Sequence, residues 1–306
     1  MLRAEDAEDE PPDDPGHTLT PQSSISIDYL PVPTSLSDYV TTFYHFRCDE
    51  PHMRDIQPAA IGHLTLFPYG AGHLRFRDGR SEPSYEVNLL TPFGIAVPFE
   101  VDGPFHAIGA VLNPLGWAAL TGLCAKEHGN HIYRACEHLE GDIEQLGAAL
   151  CDDYRKKRKT GQECADALGE YIAGQLRKLP KRHTKLIETV NKWLASSLNP
   201  DIDELYASTD YSPRQVQRLS EKYFGLPPRS LARKYRALRA AAWLALPALS
   251  DEAEAELAEA FYDQSHMIRE IQLFAGRTPA RLAEKDTPFL DEMLDLRNFR
   301  EIGQGD

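Results

Sequence analysis

The sequence predicts an α+β protein: a β-rich N-terminal region with flanking helices, followed by an all-helical C-terminal third. Three observations predict it. Residues 29–112 carry short β-like runs broken by Gly, Pro and Asp. From Leu115 onward the apolar spacing becomes helical. Within 183–284 a short-helix, turn, helix pattern occurs twice. A chain of 306 residues is long enough for two domains, each with its own core.

Residues 1–24, opening MLRAEDAEDEPPDDPG, form an acidic, Pro-rich lead with no basic n-region or apolar h-region, so disorder is expected there and not a signal peptide. HLTLFPYGAGHLRFRDG reads as two strands around Tyr69-Gly70-Ala71-Gly72, with Asp78-Gly79 as a further turn. Pro92, Pro98 and Pro104 are expected to keep the next strands short. Short strands at this spacing suggest a small barrel or sandwich. Leu139 to Leu179 reads as one or two amphipathic helices interrupted by Arg155-Lys156-Lys157-Arg158-Lys159, and Pro180 marks a domain boundary. The expected division is therefore 25–180, 181–285 and an acidic tail over 286–306.

The C-terminal third punctuates itself. In HTKLIETVNKWLASSL, Leu186, Ile187, Val190, Trp193, Leu194 and Leu198 share one helical face, and Asn199-Pro200 stops it. Ser212-Pro213 opens the next helix as N-cap and first residue, and Gly225 closes it. Pro227-Pro228 starts a long helix whose exposed face is expected to carry Arg229, Arg233, Lys234, Arg236 and Arg239. DEAEAELAEAF, a turn at Tyr262 and DQSHMIREIQLF then repeat the first pattern, closed by Gly276.

Charge follows the same division. The net charge is −14. Residues 1–180 hold 15 Lys/Arg against 27 Asp/Glu, residues 181–285 hold 16 against 14, and residues 286–306 hold 2 against 6. Only the tandem-helix segment is not acidic, and phosphate contacts need a local basic face, not a basic protein. Five cysteines without a CxxC pair favour free thiols in a reducing cytoplasm. No apolar run approaches the roughly 20 residues of a membrane span.

The C-terminal residues resemble the AraC/XylS family of bacterial transcription regulators, whose DNA-binding domain is two helix-turn-helix units joined by a long helix. The likeness lies in Ser212-Pro-Arg-Gln-Val-Gln-Arg218, Tyr223-Phe-Gly225, Arg236 and Ala240. It continues in Phe261-Tyr-Asp-Gln-Ser-His266, Arg269-Glu270 and Phe274-Ala-Gly-Arg-Thr-Pro279. The N-terminal half resembles more loosely the cupin-like sensing domain of many such regulators, through Gly109-Ala-Val-Leu-Asn-Pro114-Leu-Gly116. Two departures stand out. Ala260 occupies a turn where the family usually has Gly, which would be strained if that position needs a positive φ. The helix before it carries Glu252, Glu254, Glu256 and Glu259, which would repel phosphates if they faced a duplex.

The resemblance implies a sequence-specific regulator that binds double-stranded DNA. The N-terminal half of the second helix in each unit enters the major groove, with the two faces about 34 Å apart. Arg suits guanine and Gln suits adenine through paired hydrogen bonds. Arg214, Gln215, Gln217 and Arg218 are the candidates in unit one, against the reading of a merely solvated helix face. Gln264, Ser265, His266 and Arg269 hold the equivalent places in unit two, where Asp263 is expected to cap the helix. A small-molecule effector or a protein partner is expected at the N-terminal region. The helices of 139–179 read either as a homodimer interface or as packing within their own domain. The alternative is a small-molecule-binding or protein-interacting factor whose tandem unit has weak or no sequence-specific DNA binding.

Catalysis is not expected, since no nucleophile elbow, P-loop, GxGxxG or zinc-finger spacing occurs. No cofactor is expected either. His63, His73 and His106, with Glu86 and Glu100 near in sequence, lack ligand spacing, so no metal is assigned to them. His128, His131 and His138 read as surface histidines. The basic run 155–159 reads as a solvated face or, as the rival, a supplementary DNA contact.

Overall fold

The structure, a computed structural model, describes residues 24–246, 248–282 and 287–294. The expected lead, apart from Ser24, lies outside the described residues, as does the acidic tail beyond 294. The fold is α+β: an N-terminal antiparallel sheet, then helices.

The strands are β1 (Ile25–Leu30), β2 (Val40–Cys48), β3 (His52–Gln57), β4 (Gly62–Arg75), β5 (Ser81–Pro83), β6 (Val87–Leu90), β7 (Val97–Leu112) and, after two helices, β8 (Ile132–Arg134). They run in the order β1-β2-β7-β4-β6-β8, with β3 on β7 and β5 on β4. The 16-residue β7 is the spine: it pairs β3 through Val97–Asp102 and β2 through Phe105–Leu112.

Two expectations fail here. Tyr69–Gly72 is no turn; β4 runs straight through it for 14 residues. The register against β7 shifts around Tyr69, and Gly70 takes a φ of +81°, so these residues bulge and bend the strand. Pro98 and Pro104 do not end β7. Pro98 comes before its pairing with β4 begins, and Pro104 falls where it exchanges β3 for β2, so neither removes a needed ladder donor.

Helices α1 (Pro114–Thr121), α2 (Ala125–His128), α3 (Ile143–Arg155) and α4 (Gly161–Gln175) follow. Both α3 and α4 lie on the sheet. Gly147 of α3 sits so close to Leu66 and Val87 that a Cβ would meet Val87 at 2.3 Å. Leu168 and Ile172 of α4 are buried in a cluster with Leu36 and Phe43. These helices therefore cover the sheet of their own region. Three cations of the basic run are paired: Arg155 with Glu86, Lys156 with Asp152, and Arg158 with Asp152 and Asp153.

The remaining helices are α5 (Lys181–Ser196), α6 (Ile202–Ala207), α7 (Pro213–Phe224), α8 (Pro228–Leu244), α9 (Asp251–Ala260), α10 (Gln264–Ala275), α11 (Pro279–Leu282) and α12 (Pro288–Met293). Trp193 Nε1 donates to the Asp201 carbonyl at 2.6 Å, which pins α5 to the turn that Asp201 caps. The long α8 is the axis of this region, and the expected exposed basic face is not there. Lys234, Arg236 and Arg239 are buried; only Arg229 and Arg233 of that set reach the surface. Each buried cation has acceptors: carbonyls of Ala60 and Phe93 for Lys234, Glu270 and Asn199 for Arg236, and the Ser197 carbonyl for Arg239. Burial lowers the Arg239 guanidinium to about 10, still charged at neutral pH.

Candidate nucleic-acid interface and the cavity behind it

The helix α7 begins at a reciprocal cap. Ser212 Oγ accepts the Gln215 N–H at 3.4 Å, and Gln215 Oε1 accepts the Ser212 N–H at 3.0 Å. Gln215, expected as a base contact, is thereby engaged with its own helix start. Val216, Leu219, Tyr223 and Phe224 turn inward, which leaves Arg214, Gln217 and Arg218 exposed on the opposite side. Gly225 closes the helix at a φ of +82°, and a Cβ there would lie 3.3 Å from the Ala125 carbonyl oxygen of α2. Lys126 of α2 pairs with Glu221 at 2.9 Å.

The helix α10 is built in the same way. Asp263 caps it by accepting the His266 N–H at 2.7 Å, and Gly276 ends it at a φ of +86°. Gln264, Ser265 and Arg269 are exposed. His266 is turned inward instead: its Nε2 is 3.1 Å from Glu270 Oε1. Sequence reasoning missed Tyr262, which stands 93% exposed in the turn just before Asp263. The strain feared at Ala260 is absent, because Ala260 ends α9 and Phe261 after it has a φ of −120°. Glu252, Glu254 and Glu259 of α9 are exposed, while Glu256 also accepts the Leu198 N–H at 3.1 Å.

Glu270, 2% exposed, ties the two units together. Arg233 Nε reaches Oε1 at 2.6 Å, and Arg236 reaches Oε2 through Nη2 at 2.6 Å and Nε at 3.1 Å. Arg236 also donates to Asn199 Oδ1 at 2.7 Å and lies 4.9 Å over the Phe261 ring. One guanidinium thus spans the loop before α6, the axis helix and the second capped helix.

The C-terminal end of α10 rests on the sheet region. Its last carbonyls lack helical partners. The Leu273 carbonyl accepts the Ala96 N–H at 3.0 Å, and the Phe274 carbonyl accepts the Ala59 N–H at 2.8 Å. Both capped helices therefore dock by their ends and present their starts.

Behind this junction lies a cavity of about 200 Å³, walled by the sheet, by Lys234 and Leu238 of α8, and by Phe289, Met293 and Leu294 at α12. Lys234 Nζ donates to the Ala60 and Phe93 carbonyls at 3.0 Å each. On the wall, Tyr44 Oη and His63 Nδ1 lie 3.4 Å apart. Burial holds His63 neutral, its imidazolium lowered to about 4, and pushes the Tyr44 phenol up. His73 and His106, weighed earlier with His63, sit apart from it: His73 beside Glu100 and Arg75, His106 against Tyr154. No three His, Cys, Asp or Glu side chains among the described residues converge to hold a metal ion. His131 and His138 pack on the Tyr133 ring, with His128 beside them.

No family model matches the chain, and no curated protein does. Among solved structures, ToxT from Vibrio cholerae is similar at 9% identity and a TM-score of 0.45, covering 87% of this chain and 98% of its own. ToxT from Vibrio cholerae O395 bound to (E)-4-(8-methylnaphthalen-1-yl)but-3-enoic acid covers 86% of this chain and 100% of its own, at 10% identity and a TM-score of 0.43. No helix among the described residues is long and apolar enough to cross a membrane.

Proposed function

We propose that this chain is a sequence-specific DNA-binding transcription regulator of the AraC type, with residues 181–285 as the DNA-binding domain and 25–180 as a sensing domain. One observation carries the reading. Two side-chain-capped helices, α7 and α10, are joined through α8 and present Arg214, Gln217 and Arg218, and Gln264, Ser265 and Arg269, to solvent from their N-terminal halves. Arg and Gln at such positions read guanine and adenine edges. Gln215 and His266, tied to Ser212 and Glu270, serve the shape of the two helices more than the reading of bases. The cavity behind the junction supports control by a small molecule, because a ligand touching Lys234 and Leu238 would bias the position of the axis helix.

The exposed Glu252, Glu254 and Glu259 of α9 favour a second reading, in which the cavity binds its ligand and the tandem unit has weak or no sequence preference. Selection of bound sequences from random double-stranded DNA at fixed salt separates the two. Enrichment of one motif supports the regulator; salt-sensitive binding without enrichment overturns it.

A further inference from the structure

The proposed base contacts use the first half of α7 and leave its last turn and the start of α5 without a role. Arg214, Arg218 and Lys222 follow one another at intervals of four, so they form one stripe along α7. Arg214 and Arg218 are exposed, and Lys222 is half-buried. The start of α5 lies beside that stripe. His183 Nδ1 and Tyr223 Oη are 2.6 Å apart, which ties the first turn of α5 to the last turn of α7. The exposed Arg182 lies 5.0 Å over the ring of Tyr211, the residue just before the Ser212 cap.

These cations are held in place without being neutralised. Lys222 Nζ stands 5.3 Å over the Tyr223 ring, and an aromatic face fixes a cation while leaving its charge intact. The nearby carboxylates serve other lysines: Glu221 pairs with Lys126 at 2.9 Å, and Asp210 faces Lys185 at 4.0 Å. Among the described residues Arg182, Arg218 and Lys222 have no carboxylate partner. The first turn of α5 holds no acidic residue either. Burial, then the charges of Lys222, Arg218 and Arg182, push the His183 imidazolium below its ordinary 6.5. Three cations thus gather around one ring, and their mutual repulsion is relieved by an anion laid across them.

Arg218 belongs both to this patch and to the face that α7 presents. Side chains flanking a helix in the major groove meet phosphates, which position the protein without reading sequence. Resting on the reading of α7 as a groove-entering helix, we infer that Arg182 and Lys222 clamp the phosphodiester backbone of duplex DNA beside that groove. The His183–Tyr223 link keeps the two cations at a fixed spacing by holding α5 against α7.

The test uses the full chain and two labelled duplexes of equal length, one carrying the selected motif and one of unrelated sequence. Both are titrated by fluorescence anisotropy between about 50 and 200 mM NaCl. Arg182→Gln and Lys222→Gln should each weaken binding to both duplexes by the same factor. Each should also reduce the slope of log affinity against log salt by about 0.9. Arg182→Lys, which keeps the charge, should keep the slope. Unchanged slopes in both glutamine variants overturn the inference, as does a loss confined to the motif duplex. Weaker binding at an unchanged slope assigns a residue a structural role and removes it from the clamp. If selection enriches no motif, the unrelated duplex still reports the slope, so sequence reading falls while the clamp stands. A motif bound with unchanged slopes gives the reverse, and no binding to either duplex overturns both.

Discussion

The carboxylate of Asp55 in β3 accepts the backbone N–H of Leu290 at 3.2 Å, across 235 positions of sequence, and that of Phe289 at 2.9 Å. The first N–H groups of any helix lack partners, and Thr287 at the start of α12 supplies no side-chain cap. Asp55 caps that helix from another part of the fold. Phe289 then packs edge-on against Phe46 and Phe99, and α12 becomes part of the cavity wall.

Burial, reinforced by the charge of Asp291, pushes the Asp55 carboxyl up to about 7, against the pull of three backbone N–H donors. A carboxyl raised in the folded state stabilises docking below its ordinary value of 3.8 and loses that contribution as pH rises towards 7. Amide exchange at Phe289 and Leu290, corrected for its intrinsic pH dependence, should therefore lose protection progressively between about pH 4 and 7. Asp55→Asn should flatten that slope. A slope that persists in the variant assigns the effect elsewhere.

His63 works in the opposite direction. Its imidazole, lowered to about 4 by burial, keeps the fold stable above its ordinary value of 6.5 and weakens it as pH falls below that. The loss by pH 4 is on the order of 3 kcal/mol. Urea midpoints of wild type should fall through this range, and those of His63→Gln should fall less. Parallel curves would mean that His63 charges without disturbing the fold.

Glu270 is the anion on which Arg233, Arg236 and His266 meet, and it is almost fully buried. Glu270→Ala leaves Arg236 buried beside no carboxylate, a change of about 3–5 kcal/mol. Chemical unfolding should show a loss of that order. A loss under about 1 kcal/mol would show that Asn199 suffices as the partner of Arg236.

How far the sequence foretold this arrangement differs between its parts. The capped starts at Ser212 and Asp263 and the glycine ends at Gly225 and Gly276 were legible, because each is a local rule acting over three or four residues. The path of β4 was not. Gly70 and Gly72 have the composition of a turn, and only the long partner β7 makes them a bulge within one strand. The basic face assigned to α8 was wrong for a related reason. Arg and Lys spacing cannot show that carbonyls of Ala60, Phe93 and Ser197, brought from distant segments, are waiting for them. Asp55 carried no signal at all, since its role exists only once α12 has formed.

Gly276 joins α10 to the sheet region. With a φ of +86° it sits where a Cβ would meet Ile56 at 2.6 Å. Gly276→Ala therefore adds strain and a clash with Ile56 and Ala96, beside the Ala59 and Ala96 hydrogen bonds of α10, and should destabilise the protein by about 1–3 kcal/mol. Protection of the Ala59 and Ala96 amides should fall more than that of the Leu64 or Ile108 amides within the sheet. Uniform loss would place the damage in α10 alone.

Arg218 and Gln215 sit three positions apart on α7 and should behave differently. Arg218 is exposed, while Gln215 closes the cap with Ser212. If Arg218 reads a base, Arg218→Ala weakens binding to the selected motif by about 1–3 kcal/mol and relaxes preference at one position. Gln215→Ala removes half of the reciprocal cap, so it should lower thermal stability by an amount worth about 0.5–1 kcal/mol and leave sequence preference intact. Electrophoretic titrations with the selected motif and its single-base variants, beside melting curves of both variants, measure the two effects together. Unchanged preference in Arg218→Ala removes that residue from base reading. A shifted preference in Gln215→Ala would mean that the cap also aims a reading side chain.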